Sequence, residues 1–401
     1  GVGALGFSHR GTEVQIKPAF NKKLSETNCV NCGQCRIVCP TAAITIKNET
    51  QKVWDAIYDK NIRIIAQIAP AVRVALGEEF GLKPGEVTIG KIASILRKVG
   101  VDEVYDTALS ADLTVIEESN EFLDRFSKNE NLPLFTSCCP AWVKFAENKY
   151  PELSKNISSC KSPQQMFGTV AREVFNIKDE EDGKKTFIVS IMPCTAKKAE
   201  AARPEFNHDG VREVDVVLTT QELAIMIKEI GVNFHTIEEE SLDMPFGVAS
   251  GAGIIFGTTG GVTEAVLRKL LKDKFAKDDC EIIFNNVRGL EAVKEATVEV
   301  DGKIISIAVV HGLHDADSLI RQIKNGERYY DLVEVMACKG GCIAGGGQPV
   351  PRIITKETRA LRASGLYNID KINQIKSSED NYIVKSIYED IIKGNNHILH
   401  V

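Results

Sequence analysis

Short apolar runs alternate with amphipathic stretches along the chain. Runs bounded by proline, glycine or polar residues are typical of buried strands, whereas an apolar period near 3.6 residues is typical of helices. On these criteria, strands are predicted at residues 61–70, 104–106, 187–192, 214–218, 304–311 and 332–336. Helices are predicted at residues 51–60, 88–99, 111–128 and 382–393, and the last of them is expected to dock on the outside of the protein.

Cysteines follow two of the predicted strands. Cys194 comes after the strand at 187–192, at the end where α/β sheets place their ligands. Cys338 and Cys342 follow the strand at 332–336 and precede a triple glycine. Thiolates suit soft ions such as iron or zinc, and glycines let the backbone approach a bulky group closely. By itself, a pair of cysteines at this spacing is as consistent with buried small hydrophobic residues as with metal ligands.

The most specific short motif is the run Cys29-x-x-Cys32-x-x-Cys35-x-x-x-Cys39-Pro. This spacing is typical of bacterial ferredoxins, in which three thiolates bind one [4Fe–4S] cube and the cysteine before proline ligates a different cluster. A structural zinc knuckle is the alternative, and the order of the spacings disfavours it. Because a cube needs four ligands and the sequence holds no second run of this kind, the remaining ligand is expected upstream of the first residue.

The composition argues against several classes of protein. A net charge of −6 gives no reason to expect nucleic acid or an anionic membrane surface as a partner. No apolar run approaches the roughly 18 residues of a membrane-spanning helix, and the first residues carry no signal-peptide pattern. The 11 cysteines are grouped at short spacings, which indicates metal binding in a cytoplasmic protein rather than a disulfide scaffold.

Three other features leave alternatives open. Cys138 and Cys139 are adjacent, so either one binds metal while the other faces elsewhere, or the two form a strained vicinal disulfide. The glycine-rich stretch 250–261 matches phosphate-binding patterns only loosely and is interpreted as backbone packed against a cofactor. Cys280 precedes an apolar strand and is interpreted as an inert core thiol.

The helix predicted at 111–128 carries a group of charged residues, Glu117, Glu118, Glu121 and Arg125. Glu121 and Arg125 have the spacing of an ion pair on the surface of a helix. From the residues alone, this side of the helix is interpreted as a solvated face.

Three cysteine motifs stand in order along the chain: residues 136–142 (Thr-Ser-Cys-Cys-Pro-x-Trp), 192–198 (Met-Pro-Cys-x-x-Lys-Lys) and 334–349 (Glu-x-Met-x-Cys-x-Gly-Gly-Cys-x-x-Gly-Gly-Gly-Gln-Pro). They closely resemble the motifs of the iron-only ([FeFe]) hydrogenases, in particular the clostridial multi-cluster form. The resemblance implies an α/β fold of two lobes, each a sheet flanked by helices, with the cluster buried between them. It also implies that residues 1–50 belong to a partial ferredoxin-like [4Fe–4S] domain and residues 51–401 to an H-cluster catalytic domain with a C-terminal tail.

The resemblance assigns a cofactor and its ligands. The [4Fe–4S] part of the active-site H-cluster would be held by Cys139, Cys194, Cys338 and Cys342. Cys342 would also bridge to a diiron unit that carries CO, cyanide and an azadithiolate. Lys197 matches a lysine that donates to a cyanide, and the sulfur contacts around the diiron unit match Met192 and Met336. The pocket wall would include Ala69, Pro70, Ser162, Pro163 and Gln164.

The resemblance also implies a proton path, made of Cys138, Glu118, Ser158, Glu121 and Arg125. This replaces the solvated-face interpretation of Glu118 and Glu121. A thiol and a glutamate whose pKa is raised by burial bracket neutral pH, as a proton relay requires.

The implied activity is the reversible oxidation of H2 to protons and electrons, with the electrons relayed through accessory [4Fe–4S] clusters to a ferredoxin-type carrier. Maturation proteins are expected to build the diiron unit. One alternative is a non-catalytic, hydrogenase-like iron–sulfur assembly protein, and the presence of Lys197 and both methionines argues against it. A sensory hydrogenase is the second alternative, and Cys138 argues against that.

Overall fold

The computed structural model describes residues 1–271, 286–300, 302–350 and 354–401, so Cys280 lies outside the described residues. The helices are Gln34–Ile37, Thr50–Tyr58, Ile89–Val99, Thr107–Lys128, Pro140–Lys149, Pro163–Asp182, Ala196–Ala201, Thr220–Glu229, Gly251–Ile255, Gly261–Leu271, Leu313–Lys324, Lys356–Ile372, Tyr382–Ser386 and the π-helix Ile387–Ile392. The strands are Gly6–Ser8, Gln15–Lys17, Ile62–Ile68, Glu103–Asp106, Leu134–Phe135, Lys185–Met192, Asn207–His208, Val211–Arg212, Val216–Thr219, Val293–Val300, Lys303–His311 and Leu332–Met336.

The first large sheet is entirely parallel. Its strands run in the order Glu103–Asp106, Ile62–Ile68, Lys185–Met192 and Val216–Thr219. The strand Ile62–Ile68 is buried from its second residue to its last, because helices cover both faces of a parallel sheet. Its isoleucines pack with Ile92 and Met166 of two flanking helices in the largest hydrophobic core of the protein.

The second large sheet is mixed, with the order Val293–Val300, Lys303–His311, Leu332–Met336 and Leu134–Phe135. The first pair is antiparallel and the others are parallel. The edge strand Val293–Val300 alternates exposed and buried residues, so that one face packs on the core and the other faces solvent. Together the two sheets and their helices give the α/β architecture that the resemblance implies.

Most of the predicted elements are confirmed within a few residues. The helix Ile89–Val99 ends at Gly100, which has a φ of 114°. The helix predicted from residue 111 begins instead at Thr107, because the Asp106 carboxylate accepts a hydrogen bond from the Ala108 amide at 2.8 Å and caps the helix there. The helix Lys356–Ile372 and the strand Val293–Val300 were not predicted.

The C-terminal segment docks on the outside of the protein as predicted, with one face packed on the core and residues such as Tyr382 and Lys385 exposed on the other. Ile383, Ile387 and Leu399 are buried in the core beneath the first sheet. The final residues pair with the chain before the helix Pro163–Asp182, where the Val401 amide donates to the Ser159 carbonyl at 2.8 Å. Within the described ranges, no helix has both the length and the apolar character needed to cross a bilayer.

Candidate active site

A buried cavity lies at the carboxyl ends of strands from both sheets. Cys194 follows the strand Lys185–Met192, Cys338 follows Leu332–Met336, and Cys138 follows Leu134–Phe135. The cavity contains about 830 Å³ of space not occupied by atoms. The predicted site residues on its wall are Ala69, Pro70, Cys138, Cys139, Pro163, Gln164, Met192, Cys194, Lys197, Met336, Cys338 and Cys342. Motifs that are far apart in sequence therefore meet around one space.

Four free thiols face this cavity, those of Cys139, Cys194, Cys338 and Cys342. Burial is the largest cause of the raised pKa of each of them, which is about 12 in Cys342, and the charges of other cavity cysteines also raise the pKa of Cys194, Cys338 and Cys342. Four buried sulfurs that repel one another when ionised fit a cationic iron–sulfur cube, which stabilises the thiolate forms. Cys138 is also a free thiol, so the adjacent cysteines do not form the vicinal disulfide.

Glycines set the path of the loop that carries Cys338 and Cys342. Gly341 has a φ of 93°, and a Cβ atom there would lie 2.6 Å from the Thr259 amide nitrogen. At Gly345 a Cβ atom would lie 2.2 Å from the Pro193 carbonyl oxygen. Only glycine therefore lets this loop pack against the neighbouring motif and bring its two sulfurs to the cavity.

The glycine-rich stretch 250–261 serves mainly to pack helices. A Cβ atom at Gly251 would lie 1.9 Å from Asp370, and one at Gly253 would lie 2.2 Å from the Ala108 carbonyl oxygen. Phe256 and Gly257 line the cavity, so at this end of the stretch backbone packed against a cofactor stays a prediction. For Gly251 and Gly253 the prediction is wrong, because these glycines admit other helices.

Lys197 is held at the cavity wall by an ion pair. Its ammonium donates to the two carboxylate oxygens of Glu200, at 2.9 and 3.1 Å, and to the Cys138 carbonyl at 3.2 Å. Burial is the largest single influence and lowers the pKa of Lys197, but the charge and hydrogen bonds of Glu200 and the charges of Cys194 and Cys138 together outweigh it, so the pKa lies above its usual value. Glu200 also accepts hydrogen bonds from Gln164 at 3.0 Å and from Ser162 at 3.1 Å. Ser162 lies behind the wall, in contact with Glu200, rather than on the wall itself.

Glu118 lies in the interior beside the cavity thiol of Cys138. Glu118 is fully buried, and neither of its carboxylate oxygens makes a hydrogen bond of ordinary geometry to any residue in the described ranges. Burial, and then the charge of Glu121, raises the pKa of Glu118 to about 8. Burial and the charge of Glu118 raise the pKa of Cys138 well above its usual value. The solvated-face interpretation of this helix is therefore wrong for Glu118.

Glu121, one helical turn further on, is saturated with hydrogen bonds. It accepts from the Ser158 hydroxyl at 2.6 Å, the Ser159 amide at 3.1 Å and the Arg125 guanidinium at 2.6 Å. The Ser158 hydroxyl also lies close enough to Glu118 to lower the pKa of that carboxyl slightly. Arg125 and Ser158 line a second cavity that is more open, so this end of the group reaches solvent.

The ferredoxin-like segment packs directly against the cysteine loop. The Gln34 amide donates to the Cys338 sulfur at 3.1 Å and to the Ala344 carbonyl at 3.0 Å. Arg36 donates to the Gly346 carbonyl at 3.2 Å. The charge of Cys32 contributes to the raised pKa of Cys338, which indicates that the two sulfurs are neighbours. The cysteines of this segment are all free thiols, at Cys29, Cys32, Cys35 and Cys39.

Two residues at the site were missed by the sequence analysis. Glu200 stands three residues after Lys197, and this i, i+3 spacing on a helix was an available signal. Gln34 lies within the ferredoxin-like run, but its contact with Cys338 spans 304 positions and has no local signal.

A two-lobed α/β protein with four buried thiols beside a ferredoxin-like cysteine run is an iron–sulfur redox protein. Residues 62–346 match the family described as "Iron only hydrogenase large subunit, C-terminal domain". Residues 356–401 match "Iron hydrogenase small subunit", and residues 23–45 match "4Fe-4S binding domain". The chain belongs to the iron-only hydrogenase family. Its cofactors are accordingly [4Fe–4S] clusters and the H-cluster, in which a cube is joined to a diiron unit with CO, cyanide and azadithiolate ligands.

The relatives include named hydrogenases. The chain is 42% identical over 397 residues to the NADP-reducing hydrogenase subunit HndD of Solidesulfovibrio fructosivorans, covering 96% of this chain and 67% of the relative. It is 43% identical to Iron hydrogenase 1 of Clostridium pasteurianum, covering 86% and 61%. The chain thus spans about two thirds of the length of these relatives. A solved structure described as "[FeFe]-hydrogenase Oxygen Inactivation is Initiated by the Modification and Degradation of the H cluster 2Fe Subcluster" has a TM-score of 0.73 and 35% identity, covering 88% of this chain and 98% of that one.

Two further relatives bear on location and on the alternative function. The Periplasmic [Fe] hydrogenase large subunit of Nitratidesulfovibrio vulgaris is 44% identical, covering 82% of this chain and 86% of the relative. The Cytosolic iron-sulfur assembly component 3 of Pongo abelii is 32% identical, covering 81% and 72%. The assembly protein is thus less similar to this chain than the hydrogenases are.

Proposed function

We propose that the protein catalyses the reversible oxidation of H2 to two protons and two electrons. The observation that carries the proposal is the convergence of four buried thiols, the Lys197 ion pair and the Cys138 thiol on one cavity. When bound there, the H-cluster supplies an open iron site and a nearby base, which together split H2 heterolytically. The residues of the chain bind the cluster, exclude water, and move protons and electrons.

The cavity residues hold and orient the cofactor. In this proposal the cube would be held by Cys139, Cys194, Cys338 and Cys342, and Cys342 would also bridge to the diiron unit. Lys197, fixed by Glu200, would donate a charged hydrogen bond to a cyanide, which would contribute roughly 1.5–3 kcal/mol in a dry site. The remaining wall excludes water and is formed by Ala69, Pro70, Pro163, Gln164, Met192 and Met336. Ser162 acts through Glu200, to which its hydroxyl donates.

Protons leave the cavity along Cys138, Glu118, Ser158, Glu121 and Arg125. Glu118 has a pKa of about 8 and two uncommitted oxygens, so it takes up and releases a proton near neutral pH at low cost. The Ser158 hydroxyl lies next to both glutamates and passes the proton between them. Arg125 holds Glu121 in place at the solvent end.

Electrons enter through the ferredoxin-like segment. We assign residues 1–50 to this partial domain and residues 51–401 to the catalytic domain with its tail, supported by the 4Fe-4S match at 23–45. Cys29, Cys32 and Cys35 would hold one cluster next to the active-site cube, since Cys32 neighbours Cys338, and Cys39 would ligate a further cluster. The electron partner is a ferredoxin-type carrier, maturation proteins supply the diiron unit, and the protein works in the cytoplasm.

Reconstitution tests the proposal against the assembly-protein alternative. Protein loaded with its cubes and a diiron unit is assayed for H2 evolution from reduced methyl viologen and for H2 uptake with the oxidised dye. Infrared bands of bound CO and cyanide, together with turnover in both directions, support a hydrogenase. A protein that binds the [4Fe–4S] cubes but does not retain the diiron unit and does not turn over H2 would support an assembly protein and overturn the proposal.

A further inference from the structure

Three potential metal ligands of different chemistry meet outside the cysteine cavity. They are Glu121, Cys160 and His400, whose ligand atoms all lie within 4.8 Å of one another. The Cys160 sulfur is 3.6 Å from Glu121 Oε2 and 3.9 Å from His400 Nδ1. The three come from separate parts of the chain, and the backbone bridge between Cys160 and His400 fixes two of them relative to each other.

The spacing of these atoms fits a single tetrahedral ion. Zinc bonds of roughly 2.0–2.3 Å to oxygen, nitrogen and sulfur place neighbouring ligand atoms about 3.5 Å apart. The two separations from the Cys160 sulfur are close to that value before any side chain moves. The adjoining open cavity, which Cys160 and Ser159 line, leaves room for water as a fourth ligand and for access of the ion from solvent.

A second observation also indicates a ligand role for His400. Its Nε2 lies 3.1 Å from Glu117 Oε2, and Asn396 donates to the other oxygen of Glu117 at 3.1 Å. Because a carboxylate only accepts, Nε2 carries the proton, and the lone pair of Nδ1 accepts from the Ser159 hydroxyl at 2.8 Å with the Cys160 sulfur 3.9 Å away. Histidines that bind metals usually donate their second N–H to a carboxylate in this way.

The neighbouring charges favour binding on balance. Arg125 pairs with Oε1 of Glu121 and leaves Oε2 facing Cys160, where an ion competes with the hydrogen bonds that Oε2 accepts from the Ser158 hydroxyl at 2.6 Å and the Ser159 amide at 3.2 Å. The carboxylates of Glu117 and Glu121 and a Cys160 thiolate together offset the guanidinium and the ion.

We propose that Glu121, Cys160 and His400 bind a divalent, thiophilic cation of the zinc type. Because Glu121 stands at the solvent end of the proton path, an ion on this carboxylate blocks proton exchange and inhibits turnover. The inhibition of turnover rests on the proposed function, whereas the binding of the cation does not.

Binding is tested on protein with its clusters loaded, so that the cluster-ligating cysteines are occupied by iron. Zinc is added to the parent, to Cys160→Ala and to His400→Gln, with the exposed neighbour His397→Gln as the matched control. We expect the parent and the control to bind zinc about tenfold or more tightly than the two site variants. X-ray absorption at the zinc edge should show one sulfur together with nitrogen or oxygen ligands. Equal affinity in all four proteins, or a sulfur-free zinc spectrum, overturns the site.

Inhibition is measured as each protein's rate of H2 evolution with zinc divided by its own rate without zinc. Zinc should lower the rate of H2 evolution by the parent and by His397→Gln, but not by Cys160→Ala or His400→Gln. If the parent binds zinc tightly and its rate does not fall, the proposed inhibition is overturned. Where Cys160→Ala fails to retain its clusters, Cys160→Ser keeps the shape with a weaker ligand. A protein that binds zinc as expected but never turns over H2 overturns the proposed function and leaves the zinc site standing.

Discussion

Two regions adjoin the cysteine cavity, and they are built from opposite kinds of contact. On the electron side, the ferredoxin-like segment is fixed by committed hydrogen bonds, such as that from Gln34 to Cys338 at 3.1 Å. On the proton side, Glu118 is buried with no ordinary hydrogen bond to any residue of the described ranges. Electron transfer is favoured by closely packed atoms that do not rearrange, whereas proton transfer needs a titratable group whose oxygens are not already held by hydrogen bonds. The difference shows that an uncommitted buried carboxyl can have a function, despite its cost to stability.

The proton side repeats the contrast over one helical turn. Glu118 and Glu121 are chemically identical, yet only Glu121 is saturated with donors. A saturated carboxylate holds its geometry, and an unsaturated one changes its protonation state at low cost. In the proposed path, the inner glutamate is thus suited to holding a proton, and the outer one to positioning the Ser158 hydroxyl through which the proton reaches it.

The largest effect is expected where the two regions meet. Cys342→Ser replaces the thiolate proposed to bridge the cube and the diiron unit, and a serine hydroxyl is a poor ligand for soft iron. H2 turnover should fall to background and the infrared bands of CO and cyanide should disappear, while circular dichroism shows an intact fold. A variant with CO bands and a rate near that of the parent would refute the bridge.

The next effect isolates the proton side. Glu118→Gln keeps the shape and removes the titrating group, so we expect turnover to fall by about a hundredfold to ten-thousandfold with cluster content unchanged. Asp124→Asn on the same helix is the control, because Asp124 is exposed and pairs with Lys128 in a surface i, i+4 bridge. Equal rates of H2 turnover in the two variants would show that Glu118 has a structural role and does not carry protons.

The same substitution has a consequence for stability that depends on pH. The pKa of Glu118 is about 8 in the folded protein and about 4.5 when exposed, so the folded state binds the extra proton between these values. This group therefore destabilises the parent progressively as pH rises from about 4.5 to about 8. The free energy of unfolding of Glu118→Gln relative to that of the parent should rise across that window, by on the order of a few kcal/mol at most, and level off above it, as measured by unfolding each protein over a series of pH values. A difference that does not change with pH would contradict the raised pKa.

The smallest effect is expected on the electron side. Gln34→Leu removes the amide that donates to Cys338, and loss of a hydrogen bond to a cluster sulfur lowers the reduction potential of the cube. A spectroelectrochemical titration should show a downward shift, with a change in rate of only several-fold. Gln51→Leu, which removes a surface contact with Asp55, is the control. An unshifted potential would show that this contact only packs the two regions together.

The sequence predicts the buried parallel strands well, because a run such as Ile62–Ile68 is apolar on both faces. It misses the helix Lys356–Ile372, whose buried face carries Arg362 and Asp370. These charges are tolerated inside because Arg362 pairs with Glu78 at 2.7 Å and Asp370 pairs with Arg268 at 2.7 Å. Such partners are distant in sequence, so no local pattern indicates them.

The site is predicted to a similar degree. Cysteine spacing indicates metal binding, and the resemblance to a family assigns the four thiols of the cavity, Lys197 and the glutamates. What the sequence does not indicate is the state of each group: Glu118 without an ordinary hydrogen bond to any described residue, Lys197 paired with Glu200, and His400 beside Cys160. These states arise from tertiary packing, which brings together side chains that no motif contains together.

The C-terminal tail, residues 356–401, matches a small-subunit family yet is continuous with the catalytic domain. Its last residues pair with the backbone at 159–161, next to the exit of the proposed proton path. Docking within one polypeptide occurs at an effective concentration of roughly millimolar or more, whatever the dilution of the protein. A separate subunit would dissociate on dilution and would have to be made in matching amounts. Because the chain is continuous, the stoichiometry is fixed at one C-terminal tail per catalytic domain.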